Sequence, residues 1–208
     1  MKVMLVNGSP NKEGCTYVAL REVAGTLNAE GIETEIFWLG RKPIGGCIAC
    51  ESCGNTGKCI FDDAVNVFRE KAMQADGFVF GTPVHYASAS GNMTAFLDRL
   101  FYSTGRNVFR LKPGAAVVSA RRAGTTAAFD QINKYFTISE MPVISSRYWN
   151  MIHGLTAEDA EKDGEGLYTM RVLAKNMAYY LKCREAAQTL GVQLPEPEKP
   201  VITNFIGD

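Results

Sequence analysis

The sequence lacks an excess of either charge, because 22 Lys and Arg residues balance 22 Asp and Glu residues over 208 positions. Proteins that bind nucleic acid or anionic membranes usually carry a basic surplus, so neither partner is expected. The sequence also lacks an apolar run long enough to cross a bilayer. Internal repeats and low-complexity tracts are absent as well. These absences, with 46% hydrophobic residues, predict a globular protein whose default organisation is one domain.

Histidine is scarce, and the two that occur, His85 and His153, are isolated in the sequence. No acid–base pair is therefore evident. Two phosphate-binding fingerprints are missing too, because the first loop has neither the G-x-G-x-x-G nor the G-x-x-x-x-G-K-[ST] pattern. The first predicted strand begins at the N-terminus and leaves no room for a signal peptide. We expect a cytoplasmic protein whose six cysteines are reduced thiols or metal ligands.

The stretch 2–16 combines an apolar run, a turn and the start of a helix. Residues 3–6 are all apolar, which predicts a central strand of a parallel sheet. A polar loop that leads into a helix presents N–H groups and hydroxyls to an anion. Such a loop suits a monoester phosphate, for example that of FMN; the alternative is an ordinary turn whose Ser and Thr only cap the helix. The candidate phosphate donors are Ser9, Asn11, Thr16 and Tyr17.

Strand and helix patterns alternate along the chain. Strands are predicted near residues 3–6, 32–38, 76–80, 115–118 and 142–146, with a final helix over about 167–190 and a loop-like acidic segment at 157–166. This order predicts a three-layer α/β fold with a doubly wound five-stranded parallel sheet. Ligands of such sheets bind beyond the carboxyl ends of the strands, where the loops after strands one, three and four are polar. We assign residues 1–194 to one ligand-binding domain and 195–208 to a C-terminal surface arm that lies on a partner subunit.

Four of the six cysteines fall in one loop at 43–61 with the spacing C-x2-C-x2-C-x5-C. Cys47, Cys50, Cys53 and Cys59 match the compact spacing that wraps a cubane cluster, whereas zinc sites usually need two separated pairs. The alternative is a loop of buried, reduced thiols. Cys15 and Cys183 have no partner at ligand spacing and are expected to be plain buried thiols. Asp98 and Arg99, adjacent in a predicted helix, are expected to form a structural ion pair.

Several motifs together resemble the flavodoxin-like NAD(P)H-dependent FMN reductases, and among them the iron–sulfur flavoproteins. They are VNGSPNKEGCT, the cysteine stretch followed by Asp62-Asp63, GTPVHY, SGNMTAFLDR and SARRAGTT, within about residues 2–150. The resemblance implies FMN bound between the subunits of a homodimer or homotetramer. It places the FMN phosphate on Ser9, Asn11, Thr16 and Tyr17. It sets Pro83, Val84, His85 and Tyr86 beside the flavin ring, with Ser119, Arg121, Arg122 and Gly124 on the other side, and a [4Fe–4S] cluster on Cys47, Cys50, Cys53 and Cys59.

Three functions follow from these observations. The first is an FMN-dependent oxidoreductase that passes electrons from NAD(P)H to a quinone, nitro or azo compound, free flavin or metal ion. The second is an electron carrier that relays electrons between ferredoxin and an acceptor through FMN and a cluster. The third is a flavin-free binding module on the same fold, since fold alone does not fix function.

Overall fold

The computed structural model describes residues 1–199, 201 and 203. Within these residues, five parallel strands form one sheet in the order β2-β1-β3-β5-β6. A short strand, β4, pairs antiparallel with the end of β3. The parallel α/β sheet is thus confirmed, and the predicted count of five holds for the parallel strands while β4 adds a sixth. The strands are β1 (Lys2–Asn7), β2 (Glu33–Trp38), β3 (Gly77–His85), β4 (Ser88–Ala89), β5 (Gly114–Ala120) and β6 (Met151–His153).

Helices cover both faces of the sheet and make three layers. One face packs against α1, α7 and α8, and the other against α3, α4 and α6. Side chains of β1 alternate between these layers: Val3 and Leu5 join the first core, and Met4 and Val6 the second. The helices are α1 (Cys15–Ala29), α2 (Ser52–Thr56), α3 (Ala64–Met73), α4 (Gly91–Thr104), α5 (Arg106–Phe109), α6 (Thr125–Ile138), α7 (Ala157–Ala160) and α8 (Gly164–Thr189).

The third strand is longer than the sequence predicts. The prediction ends it at Phe80 and assigns residues 81–86 to a loop, but β3 continues to His85 and pairs with β5 as far as Pro83 opposite Ser119. The chain then reverses at Tyr86-Ala87 into β4. Gly, Thr and Pro look like turn formers in the sequence, yet Pro83 lies near the strand end, where its missing N–H costs little.

The fifth strand was predicted in the wrong place. Residues 142–146 contribute only a bridge between Val143 and Gly114, and the fifth parallel strand is β6. The chain leaves the sheet after Ile144 because the Asn150 side chain takes over the pairing: its Nδ2 donates to Ala116 O at 3.0 Å. Val118 N in turn donates to Asn150 O at 2.9 Å. A side chain therefore fills the gap that separates the bridge from β6.

Two further boundaries differ from prediction. The segment 157–166 is not a loop, since it contains α7 and the first turn of α8, which begins at Gly164 rather than near residue 167. Thr156 and Asp159 form a reciprocal capping box on α7, and Asp163 caps α8. The described part of the C-terminal arm is exposed and irregular. Its Pro195 O accepts a 2.8 Å hydrogen bond from Arg110, and residues 200, 202 and 204–208 lie outside the described residues.

Among the described residues, no helix has the length and apolar character that crossing a membrane would need.

Candidate functional site

A cavity of about 780 Å³ opens at the carboxyl ends of β1, β3 and β5. It lies where the strand order reverses between β1 and β3, the switch point at which ligands of doubly wound sheets bind. The loop from β1 to α1, the end of β3, the loop after β5 and the segment after β6 contribute its walls. Its lining is Ser9, Asn11, Lys12, Glu13, Gly14, Cys15, Thr16, Arg41, Pro83, Val84, His85, Ser119, Ala120, Arg121, Gly154, Leu155, Thr156, Ala157 and Glu158.

The buried side chain of Asn7 shapes the first loop from below. Its Oδ1 accepts from Ser9 N at 3.0 Å and its Nδ2 donates to Lys12 O at 2.9 Å. Ser9 Oγ then accepts from Asn11 N at 3.1 Å. The sequence analysis did not single out Asn7, although an Asx residue directly after a buried strand is a signal for such a turn.

The carbonyl groups of this loop are already satisfied by the protein. Five consecutive carbonyl oxygens, those of residues 8–12, each accept a hydrogen bond from the chain. The donors are Ser90 Oγ, Trp38 Nε1, Arg41 Nε, Gly14 N and Asn7 Nδ2, in that order. The N–H groups of residues 8, 9, 11 and 14 also donate within the chain, so an anion at this loop would meet mainly hydroxyl groups and the first N–H groups of α1.

The N-terminus of α1 meets the same cavity. The cap residue is Gly14, and no side chain accepts a hydrogen bond from the first turn. The first N–H groups of a helix have no partner within the helix and carry the positive end of its dipole. The alternative interpretation, in which Ser and Thr merely cap this helix, is therefore wrong for this loop, and the first turn retains donors for an anionic group.

Thr16 and Ser119 join the first and third loops. Their hydroxyl oxygens lie 2.7 Å apart and both residues are almost fully buried. Thr16 belongs to α1, whereas Ser119 is in β5. The bond therefore holds α1 against the carboxyl end of β5 and fixes two walls of the cavity relative to each other.

The β3–β4 hairpin forms another wall, with a strained tip. Tyr86 and Ala87 both have positive φ, 52° and 58°. Gly124, at φ 88°, packs against this tip, where a Cβ atom would lie 2.8 Å from Ala87 Cα and 2.9 Å from Val84 Cγ1. Only glycine suits that backbone conformation and that close approach. Gly124 thus allows the loop after β5 to touch the hairpin.

The predicted site residues divide into two groups. Eight line the cavity, namely Ser9, Asn11, Thr16, Pro83, Val84, His85, Ser119 and Arg121. The other four lie beside it without lining it. Of these, Tyr86 is fully exposed at the hairpin tip, Arg122 is exposed, Tyr17 is half-buried, and Gly124 supports the hairpin.

Residues 154–158 form a fourth wall of the cavity that is not among the predicted site residues. Cys15, expected to be a plain buried thiol, is only half-buried and lines the cavity. Its Sγ lies 3.3 Å from Gly154 O and 3.1 Å from Thr156 O, and its single proton is shared between these two acceptors. Burial raises the pKa of Cys15, with smaller contributions from Asp159 and Glu158. The thiol therefore joins the start of α1 to the fourth wall.

The four cysteines of the 43–61 loop line a second, smaller cavity together. Its remaining walls come from apolar and aromatic side chains of the loop, from the acidic Glu51 and from one face of α4. The described residues contain no group of three or more His, Cys, Asp or Glu close enough to hold a single metal ion. A cubane imposes a different requirement, since each thiolate binds a different iron and the sulfurs stand farther apart.

Arg99 anchors one end of this loop from within α4, with its side chain 1% exposed. Its two terminal nitrogens bind Asp63 at 2.7 and 2.9 Å, and its Nε donates to Cys59 Sγ at 3.2 Å. Burial alone lowers the pKa of Arg99, but the hydrogen bonds to Asp63 and Cys59 raise it overall. The predicted Asp98–Arg99 ion pair is wrong, because Asp98 instead accepts from Tyr135.

The middle of the loop is free. Among the described residues, no hydrogen bond joins 46–57 to residues outside the 43–61 loop, whereas Gly45 is held by Arg99, and Cys59 by Asn66 and Arg99. Ala49 and Glu51 adopt positive φ on either side of Cys50. Ser52 donates to Cys50 and thereby lowers the pKa of that thiol. The cavity holds only about 20 Å³ of open space.

The family model described as NADPH-dependent FMN reductase matches residues 1–156. The chain belongs to that family. Its members use FMN and a nicotinamide cofactor, so the protein is an NAD(P)H-dependent FMN oxidoreductase. The family resemblance expected from the sequence is confirmed.

Relatives come from two groups of this family. An iron-sulfur flavoprotein of Methanocaldococcus jannaschii is 33% identical over 88% of this chain and 98% of its own length. An FMN-dependent NADPH-azoreductase of Staphylococcus aureus is 31% identical over 54% of this chain and 57% of its own. Among solved structures, the NAD(P)H:quinone oxidoreductase of Methanothermobacter marburgensis superposes with a TM-score of 0.64 at 15% identity, covering 85% of this chain and 96% of that one. An archaeal flavodoxin gives 0.57 at 16% identity, covering 88% and 99%.

The large cavity fits the chemistry of FMN. A phosphate monoester needs N–H and hydroxyl donors, which the first turn of α1, Ser9 and Thr16 supply. A flavin ring needs an apolar wall with polar groups at its edge, and the cavity offers Pro83 and Val84 beside the polar residues Ser119 and Arg121. The orphaned donors at the α1 N-terminus are the observation that decides this fit.

Proposed function

We propose that this protein is a reductase that holds FMN in the cavity at the β1–β3 switch point and passes electrons from NAD(P)H to a small oxidised acceptor. The acceptor class is a quinone, a nitro or azo compound, free flavin or a metal ion. The observation that carries the proposal is the uncapped α1 N-terminus, which opens into the cavity beside a loop whose carbonyls at residues 8–12 are occupied.

The chain's residues bind and orient in this proposal. The first turn of α1, with Ser9 and Thr16, holds the phosphate. Pro83 and Val84 restrict one side of the ring, and His85 lies at its edge. Arg121 also lines the cavity, where its positive charge favours an anionic ring edge or a nicotinamide phosphate. Bound FMN supplies the hydride chemistry, which belongs to the cofactor.

The cavity is large and open enough for a second planar molecule to stack on a bound ring. Positive Lys12, Arg41 and Arg121 line it together with the acidic Glu13 and Glu158. The positive side chains can bind the phosphates of a nicotinamide cofactor at one part of the rim. Because acidic side chains are present as well, the cavity does not require the acceptor to be an anion. A neutral aromatic acceptor is therefore the class that we favour.

The test is anaerobic reduction of FMN-loaded protein by NADPH and by NADH, followed by mixing with a quinone, an azo dye, a nitroaromatic and ferric citrate. We expect flavin absorbance to disappear with at least one nicotinamide donor and to return on addition of an acceptor. Protein that binds FMN but is reduced by neither donor would overturn the proposed function. Failure to bind FMN at all would favour the flavin-free module.

A second function is favoured by the cysteine cavity. Four thiols facing one space beside the buried cation of Arg99 form a donor set suited to an iron–sulfur cluster. In that function a [4Fe–4S] group and FMN relay electrons between ferredoxin and the acceptor. Iron and acid-labile sulfide analysis of anaerobically prepared protein distinguishes the two, since the simple reductase needs neither.

The remaining assignments accompany these proposals. We propose that residues 1–194 form the FMN-binding domain, that 195–208 form an arm against a partner subunit, and that the protein is a homodimer or homotetramer in the cytoplasm. Exposed Tyr148, Trp149 and Leu155 offer apolar area for subunit contact near the site. Light scattering coupled to size exclusion tests the assembly, and a monomer at micromolar concentration would contradict it.

A further inference from the structure

The cysteine cavity contains a polar group that none of the preceding observations has used. Ser103, on α4, lines the cavity together with the four cysteines. The residue is 5% exposed, and its hydroxyl oxygen is buried with no hydrogen-bond partner within the described chain. A helical serine usually donates to the carbonyl oxygen four residues earlier, and this one does not. Buried hydroxyls are nearly always paired, so an orphan on a cavity wall indicates a ligand group that it meets.

Ser103 lies on the same helix as Arg99. The two residues are four apart on α4, so their side chains share one face of the helix. Arg99 Nε already donates to Cys59 Sγ at 3.2 Å. The face of α4 that lines the cysteine cavity therefore carries two hydrogen-bond donors. The charged Arg99 donates to a sulfur, whereas the neutral Ser103 hydroxyl has no partner within the described chain. On the same helix Tyr102 also lines the cavity, and the loop contributes Ile48, Ile60, Phe61 and the acidic Glu51 besides the cysteines.

We propose that the Ser103 hydroxyl donates a hydrogen bond to a sulfur of the iron–sulfur group held by Cys47, Cys50, Cys53 and Cys59, and that this bond raises the reduction potential of the group. The inference rests on the second function proposed above. Hydrogen bonds to cluster sulfurs stabilise the more negative, reduced state, and they are one of the protein's means of setting the potential. Ser103 thus adds to the effect of the Arg99 cation.

The chain offers a matched control at the next residue. Thr104 is also buried, its Oγ1 also has no partner within the described chain, and it is one residue along the same helix. It lines the adjoining cavity beside Gly54 and Asn55 but not the cavity of the four cysteines. Removing its hydroxyl tests the effect of a lost buried oxygen without touching the proposed bond.

The experiment is an anaerobic redox titration, followed by electron paramagnetic resonance, of cluster-reconstituted wild type, Ser103→Ala and Thr104→Val. We expect Ser103→Ala to disfavour the reduced state about tenfold, which is about 59 mV lower for a one-electron couple. Thr104→Val should match wild type. An unchanged potential in an iron-loaded Ser103→Ala protein would overturn the inference and leave the cluster proposal standing.

A second pair of variants covers the case in which the alanine variant assembles no cluster. Ser103→Thr and Ser103→Val have nearly the same shape and differ in the hydroxyl. The threonine variant should keep the wild-type potential and the valine variant should lower it, and equal potentials would overturn the inference. Wild type that takes up no iron would remove the cluster proposal as well, so the two failures are distinct.

Discussion

Thr16 Oγ1 and Ser119 Oγ lie 2.7 Å apart, 103 residues apart in sequence, with both side chains buried at the carboxyl end of the sheet. This bond connects the start of α1 to the carboxyl end of β5. One buried contact therefore holds the loop proposed to bind the phosphate next to the carboxyl end of β5. Changes at either residue should affect both the phosphate end and the ring end of the site.

Gly124→Ala should destabilise the protein and loosen the hairpin wall. The positive φ and the 2.8 Å approach to Ala87 Cα leave no room for a Cβ atom, and the cost should be about 1–3 kcal/mol. The matched control is Gly25→Ala on the exposed side of α1, where nothing lies within 4 Å and a helical alanine should stabilise by about 0.5–1 kcal/mol. Urea unfolding measures both. Equal effects would show that Gly124 does not fix the hairpin.

Asp63→Asn should weaken the anchor of the cysteine loop. Asparagine can still cap α3, as Asp63 does through Val65 N, so the change removes mainly the charge that faces buried Arg99. Loss of one partner of a buried pair is costly; with Asp63 one-third exposed we expect about 2–3 kcal/mol. Asp62→Asn, at an exposed neighbour, should be nearly neutral. A denaturant midpoint for Asp63→Asn equal to that of the control would refute this role.

Cys53→Ala should abolish the iron–sulfur signal and leave FMN bound, because the phosphate loop and the cysteine cavity are separate. Anaerobic wild type should contain about four irons per chain, as a cysteine-ligated cubane requires. Cys183→Ala, on the exposed side of α8, should keep all of the iron. Iron-free wild type with full NAD(P)H-driven activity would show that the four cysteines are structural thiols.

The sequence predicts well what depends on local patterns. Apolar runs and turn clusters gave the order of elements and the loops after β1 and β5, and the cysteine spacing identified a loop whose four thiols share a cavity. The sequence-based prediction is wrong where a distant side chain replaces a backbone hydrogen bond between strands. The Asn150 side chain donates to Ala116 O in place of a strand residue, so the predicted fifth strand is interrupted.

Long-range contacts account for the other misses. The wall at residues 154–158 meets Cys15 across about 140 residues, and Arg99 selects Asp63 rather than its neighbour Asp98. The periodicity of apolar residues in the sequence predicts neither the contact of Cys15 nor the pairing of Arg99 with Asp63. Both depend on how α4 and the segment after β6 pack against loops that are remote in sequence.

The central claim is that the loop between β1 and α1 holds the FMN phosphate. The most direct measurement is fluorescence titration of apo-protein with FMN, comparing wild type, the double variant Ser9→Ala with Thr16→Ala, and Thr26→Ala at the other end of α1. Hydrogen bonds to a charged group contribute about 1.5–3 kcal/mol each, so the double variant should lose at least about tenfold in affinity, while Thr26→Ala should match wild type. Unchanged affinity in the folded double variant would contradict the account and place the phosphate elsewhere.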